Sequence, residues 1–288
     1  MSENKRITVL GGDMRLFTAA KLFSKDFSVF CYGCFNSPDT QDIIYCNDLL
    51  NALSQSQIIL LGIPCSADGI NVNAPFTDKK ISLEYLTDIL PCDTVICGGV
   101  LPEIIKNRFV NSVDYNDDEF FQYQNAYLTA EGALMTAIEK TKFSLRGSNC
   151  VVLGSGRIAK ALIPLLKGLN ANITVVARKK TDRECLKIFG ADAVDFSSLT
   201  GLMRKADLVF NTVPAPVIEK PQLNAAKKDC VIIDLVSRPG GTDFEYAKSI
   251  GITAIHALAV PGKTSPYTAG RIIYDTVISL LKEKEVIF

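Results

Sequence analysis

Net charge is missing from this chain. Its 31 Lys and Arg residues balance 31 Asp and Glu, so nothing suggests a nucleic acid or an anionic membrane surface as partner. Long hydrophobic runs are missing too. Although 48% of the residues are hydrophobic, no run reaches the roughly 18 residues of a membrane span. The polar start Met1-Ser-Glu-Asn-Lys-Arg runs straight into a strand and shows no secretory signal, so a cytoplasmic protein is expected. Histidine is almost absent, with His256 alone. Cysteine is not scarce, at nine residues, but most lie inside apolar runs, as at Cys97, Cys150 and Cys230. There they read as small buried hydrophobes. Cys31-Tyr-Gly-Cys34 has the spacing of redox and zinc motifs. It falls at the end of a predicted strand (27–31), not at a helix N-terminus that would lower a thiol pKa. No second Cys pair or histidine stands ready to complete a zinc site, and no metal is expected.

What is present is a repeated α/β pattern. A chain of 288 residues suits two α/β domains, and its halves read as loose copies. Ile7-Thr-Val-Leu-Gly11-Gly12-Asp13 opens the first, and Val151-Val-Leu-Gly154-Ser-Gly156 opens the second. Ile58–Pro64 parallels Leu208–Pro214, and Thr94–Gly99 parallels Val231–Leu235. Helical stretches alternate with these strands, which predicts two doubly wound, parallel-sheet, Rossmann-like domains with an interdomain cleft as the default active site. The expected boundaries are 1–126 for a substrate and catalytic domain, 127–146 for an interdomain helix and linker, and 147–265 for a dinucleotide domain. Ser265-Pro266 reads as an N-cap followed by proline at the first helical position. The helix it starts, within 266–288, is expected to pack back on the first domain.

The second half carries the most specific motif. Val151-Val-Leu-Gly154-Ser155-Gly156-Arg157-Ile158-Ala159 is the G-x-G-x-x-A form of the dinucleotide-binding turn. Gly154 permits the tight turn, Gly156 lets a pyrophosphate approach the backbone, and Ala159 lets the helix pack on the strand. The helix N-terminus then offers N–H groups and a partial positive charge to the diphosphate. NAD sites usually place an acid about 20 residues past the first glycine. Here the chain has Arg178-Lys179-Lys180. Arg178 can pair with a 2′-phosphate and stack on adenine, so NADP is favoured, the alternative being an ordinary solvated basic run. Thr212, Val213 and Pro214 follow a strand and are expected to line the cofactor. The first half lacks this spacing, and Asp13 stands where a pyrophosphate would have to approach. Dinucleotide binding is therefore assigned to the second half alone. Arg15 could clamp a substrate carboxylate bidentately, or simply pair with Asp13.

Taken together, the Gly-Gly-Asp-x-Arg opening, Thr129–Glu139, Asn211–Pro214, Asp234–Phe244 and Pro261–Gly270 resemble, in order and spacing, the A-subunit family of dipicolinate synthase. The likeness covers essentially the whole chain. It implies NADP-dependent oxidation of a dihydrodipicolinate-type precursor, formed from 4-hydroxy-tetrahydrodipicolinate on a branch of the lysine pathway, to dipicolinate during sporulation. It implies as well a flavodoxin-like dipicolinate synthase B-subunit for a partner, a small dicarboxylate ring as substrate, and a mother-cell cytoplasmic location. Homo-oligomerisation stays open. For such chemistry the nicotinamide does the hard step and the protein positions rings and holds carboxylates. Candidate substrate contacts are Arg15, Thr129, Arg238, Lys263 and Ser265, with Arg238 as a loop ion pair and Lys263 as a solvated cation the alternatives. His256, at a strand end, and Glu131, at the interdomain joint, are candidates for moving a proton, although a histidine so placed is often structural. The shikimate, alanine and 2-hydroxyacid dehydrogenases share this two-domain plan, and a noncatalytic NADP-binding regulatory protein is the reading from another class.

Overall fold

Short apolar runs, buried along their whole length, become the parallel strands of two sheets. In this computed structural model, residues 5–38, 40–54 and 56–286 are described. Strands β1 (Arg6–Leu10), β2 (Ser28–Tyr32), β3 (Ile43–Tyr45), β4 (Ile58–Leu61), β5 (Val95–Gly98) and β6 (Ser112–Asp114) form the first sheet. Strands β7 (Asn149–Leu153), β8 (Asn172–Val176), β9 (Asp192–Val194), β10 (Leu208–Asn211), β11 (Val231–Asp234) and β12 (Thr253–His256) form the second. The orders are β3-β2-β1-β4-β5-β6 and β12-β11-β10-β7-β8-β9. Counted from its own first strand, each is the 3-2-1-4-5-6 order of a doubly wound sheet. The order reverses beside β1 in one sheet and beside β7 in the other.

The helices in the first half are α1 (Met14–Phe23), α2 (Leu49–Leu53), α3 (Leu83–Ile89), α4 (Glu103–Arg108) and the long α5 (Glu119–Lys140). Those that follow are α6 (Arg157–Gly168), α7 (Lys180–Ile188), α8 (Leu199–Met203), α9 (Lys220–Ala225), α10 (Phe244–Ser249), α11 (Val260–Thr264) and α12 (Pro266–Glu283). Two units result. One takes the residues up to Gln124 together with those from Ser265 onward, and the other spans Asn125–Thr264. The division falls inside α5, and the whole segment expected as a linker, 127–146, belongs to the second unit.

Strand alternation builds the core of the second unit. Cys150, Val152, Leu208, Phe210, Val231 and Ile233 face one side of the sheet, with Ala159, Leu162, Ile163 and Leu166 of α6 packed there. Those four residues follow the i, i+3, i+4, i+7 pattern of an amphipathic helix. Val151, Leu153, Val209 and Ile232 face the other side. In the first unit, α12 lies against α1. Gly270 makes this approach close, since a Cβ there would run into the Arg15 carbonyl and the Thr18 side chain. The cysteines are free thiols. Burial pushes the thiols of Cys65, Cys97 and Cys230 up to about 12. A hydrogen bond with Cys34, joined by burial, raises the Cys31 thiol well above its ordinary value. Such thiols are poor nucleophiles at neutral pH.

Candidate nucleotide-binding site

The second sheet reverses order between β7 and β10, and ligands of such sheets bind beyond the strand ends at that point. Gly154 leaves β7 with φ +108°, a conformation open to glycine and closed to most other residues. A Cβ there would also strike Thr212 Oγ1, which donates to the Leu153 carbonyl at 2.7 Å. Gly156 is the N-cap of α6 with no side chain capping the helix, and a Cβ on it would meet no protein atom within 4 Å. It faces open space. The helix end is thus uncapped by any side chain and unobstructed, as a diphosphate requires.

Around this turn lies a cleft of about 230 Å³, lined by Gly154, Ser155, Gly156, Ala177, Arg178, Lys179, Asp182, Phe196, Thr212, Val213 and Pro214. The glycine turn, the basic run after β8 and the Thr-Val-Pro segment after β10 therefore share one site. Arg157 and Ile158 do not line the cleft, and Ile158 packs against the buried core beneath α6. Three lining residues were not singled out in the sequence: Ala177, Phe196 and Asp182. Asp182 is half-buried on the first turn of α7, and its Oδ2 accepts from Ser155 Oγ at 2.6 Å. A larger hollow of about 470 Å³ borders Lys5, Gln57, Thr94 and Val95. It lies where β1, β4 and β5 begin, the edge opposite the one where such sheets take ligands.

One carboxylate holds the loops beside the cleft. Asp234 is fully buried at the end of β11. Its Oδ2 accepts from Asn211 Nδ2 at 3.1 Å, Gly241 N at 2.9 Å and Thr242 Oγ1 at 2.7 Å. Its Oδ1 accepts from Val236 N at 3.0 Å. Asn211 Oδ1 in turn accepts from Val213 N at 3.0 Å, which sets the Thr-Val-Pro segment on the cleft.

The remaining candidates are more dispersed. His256 ends β12, its Nε2 lies 2.7 Å from the Val236 carbonyl, and its ring stacks on Phe244 with centroids 4.8 Å apart. Arg238 is exposed in the loop after β11. Lys263 is exposed on the short helix α11. Ser265 is the N-cap of α12 by position, but its side chain makes no capping bond. Glu131 is exposed on α5, and Thr129 is buried with its hydroxyl bonded to the Asn125 carbonyl at 2.7 Å.

In the first unit the equivalent turn is filled by the chain itself. Asp13 caps α1 through the Arg15 N–H at 3.0 Å. Arg15 then donates from Nε and Nη2 to the same carboxylate, and from Nη2 to the Ile63 carbonyl. Its side chain is only 7% exposed. The local ion pair is the arrangement present. The Asp13 carboxylate holds the anion position at this helix start, which a pyrophosphate would otherwise need. Among the described residues no cluster of His, Cys, Asp or Glu is suited to a metal, and no helix is long and apolar enough to cross a membrane.

Comparisons with known proteins agree with this division of labour. Residues 6–113 match the family model for the N-terminal domain of the dipicolinate synthase A-subunit. Residues 120–243 match "D-isomer specific 2-hydroxyacid dehydrogenase, NAD binding domain". The second unit is thus a nicotinamide-dinucleotide-binding domain of the dehydrogenase type. A shikimate dehydrogenase (NADP(+)) of Clostridium botulinum is 25% identical over 75% of this chain and 74% of its own. The crystal structure of the dipicolinate synthase A-subunit from Bacillus halodurans superposes with a TM-score of 0.84 at 29% identity, covering 96% of this chain and 97% of that one. The dipicolinate synthase A-subunit of Bacillus subtilis (strain 168) is 30% identical over 96% of both chains. With the dinucleotide turn intact in one unit and closed by Asp13 and Arg15 in the other, this oxidoreductase-type chain belongs to the dipicolinate synthase A-subunit family.

Proposed function

We propose that this chain is the NADP-dependent oxidising subunit of a dipicolinate synthase, converting a dihydrodipicolinate-type ring to dipicolinate in a spore-forming cell, with the flavodoxin-like B-subunit for its partner. The observation that carries the NADP assignment is Arg178 and Lys179 lining the same cleft as Gly154 and Gly156. A guanidinium there pairs with a 2′-phosphate bidentately. The nicotinamide, when bound, takes the hydride that aromatisation of the ring releases. The ring must also lose a proton, and His256 is the group assigned to take it. With Nε2–H donating to the Val236 carbonyl, Nδ1 is the ring nitrogen left to accept. Arg238 and Lys263, both exposed, are assigned to the two ring carboxylates, with Glu131 as an orienting group. Thr129 is left out because it is buried and its hydroxyl is bonded to the Asn125 carbonyl. Arg15 is left out, because Asp13 and the Ile63 carbonyl already engage it.

The test is reduction of NADP with freshly generated 4-hydroxy-tetrahydrodipicolinate, with and without the flavodoxin-like partner and with NAD as comparison. NADPH and dipicolinate should appear together. Tight NADP binding with no product under every condition would reject the synthase reading and favour a regulatory role. Arg178→Ala should weaken NADPH binding about tenfold, the loss of roughly one charge-assisted contact, and change NADH binding less than twofold. Fluorescence titration of both nucleotides measures this, and an equal loss for both would remove the 2′-phosphate role.

A further inference from the structure

The basic run after β8 is only half of what the cleft presents to the cofactor. Arg178 and Lys179 line it, and so does one acid, Asp182. Asp182 stands four residues beyond Arg178, and the first turn of α7 returns its side chain to the glycine turn. There its carboxylate accepts from the Ser155 hydroxyl at 2.6 Å. Ser155 lies between the two glycines, so this hydrogen bond joins the turn to α7. In a doubly wound nucleotide site the adenosine ribose sits between the glycine turn and the end of the second strand. Here those are Gly154–Gly156 and Ala177–Lys179.

We propose that Asp182 is a specificity-determining residue that restrains the NADP preference set by Arg178 and Lys179 and lets the chain bind NAD as well. A 2′-hydroxyl can donate to a carboxylate. A 2′-phosphate cannot, and it brings up to two negative charges into the same narrow space, where like charges repel. The two cations and the acid therefore act on the 2′ position with opposite sign. The basic run alone would give strong discrimination; with Asp182 pinned by Ser155, the two nucleotides bind within about an order of magnitude of each other. This inference rests on the reading of the cleft as a nucleotide site, and does not depend on which ring is oxidised.

The experiment is fluorescence titration of NADPH and NADH on the full chain, without substrate. Asp182→Asn keeps a polar partner for Ser155 and removes the charge. It should tighten NADPH about tenfold and weaken NADH a few-fold. Asp182→Glu keeps the charge and should hold the original ratio within about threefold. A ratio unchanged in Asp182→Asn, or both nucleotides moving together, would overturn the inference and leave the nucleotide site standing. Failure of the unsubstituted chain to bind either nucleotide would overturn the proposed function, and this inference with it.

Discussion

Gly154→Ala should cost at least a hundredfold in nucleotide affinity. At φ +108° an alanine pays backbone strain of about 1–3 kcal/mol. Its Cβ would also be driven into Thr212 Oγ1, a hydroxyl already committed to the Leu153 carbonyl. The turn can relieve this only by moving, and any movement displaces Ser155, Gly156 and the start of α6. Each 1.4 kcal/mol is a factor of about ten in binding, so strain and misplacement together exceed two decades. Gly156→Ala is the informative companion. Its backbone is extended, at φ −75°, and a Cβ finds open space. The unit should then melt at its usual temperature while the new methyl intrudes on the pyrophosphate. NADPH titration beside thermal unfolding separates the cases. Gly154→Ala binding within tenfold of the unsubstituted chain would refute the account of the turn.

Removal of the Asp234 carboxylate should have the largest effect on stability. Asp234→Ala leaves donors on Asn211, Val236, Gly241 and Thr242 without their buried acceptor. Breaking a buried charged network costs about 3–5 kcal/mol, or roughly 6–20 °C in melting temperature for a unit of this size. Asp234→Asn should be milder, at about 1–2 kcal/mol. Its Oδ1 can still serve the three donors on one side, while its amide confronts the Val236 N–H. The graded order, Ala worse than Asn, is the result to look for in thermal unfolding of the second unit. Equal effects would mean that shape, not hydrogen bonding, maintains these loops. Because Asn211 passes the constraint to Val213, nucleotide affinity should fall in the same order.

The parts of this fold legible in the sequence were those with a short period or a fixed spacing. The strands could be read because parallel strands buried on both faces are unbroken apolar runs, and Gly154-x-Gly156 because its backbone admits few other residues. Strand ends shifted by one, as at β2, where pairing with β1 extends through Tyr32. Features set by three-dimensional return were not legible. Asp182 reaches the cleft only because one helical turn folds it back, and nothing in Lys180–Arg183 marks it from an ordinary helix-start acid. Ile158 belongs to the motif by spacing, yet the helical period turns it to the core. Arg15 presented two chemically sound partners, and only geometry could choose Asp13. The helix α11 is not legible either, because Val260–Thr264 contains both proline and glycine, residues that favour loops.

The packing of α12 on α1 has a consequence for biogenesis. In sequence, the second unit is inserted between the two segments that make up the first, so the polypeptide leaves the ribosome in an order that its architecture does not follow. The sheet of the first unit can assemble early, but the surface of α1 meant for α12 stays bare until Ser265 onward has emerged. At about 5–20 residues per second that interval is on the order of ten seconds. The nucleotide domain, contiguous from Asn125 to Thr264, can finish in the meantime. A nascent chain can thus complete its dinucleotide domain while the face of α1 that α12 covers is still bare.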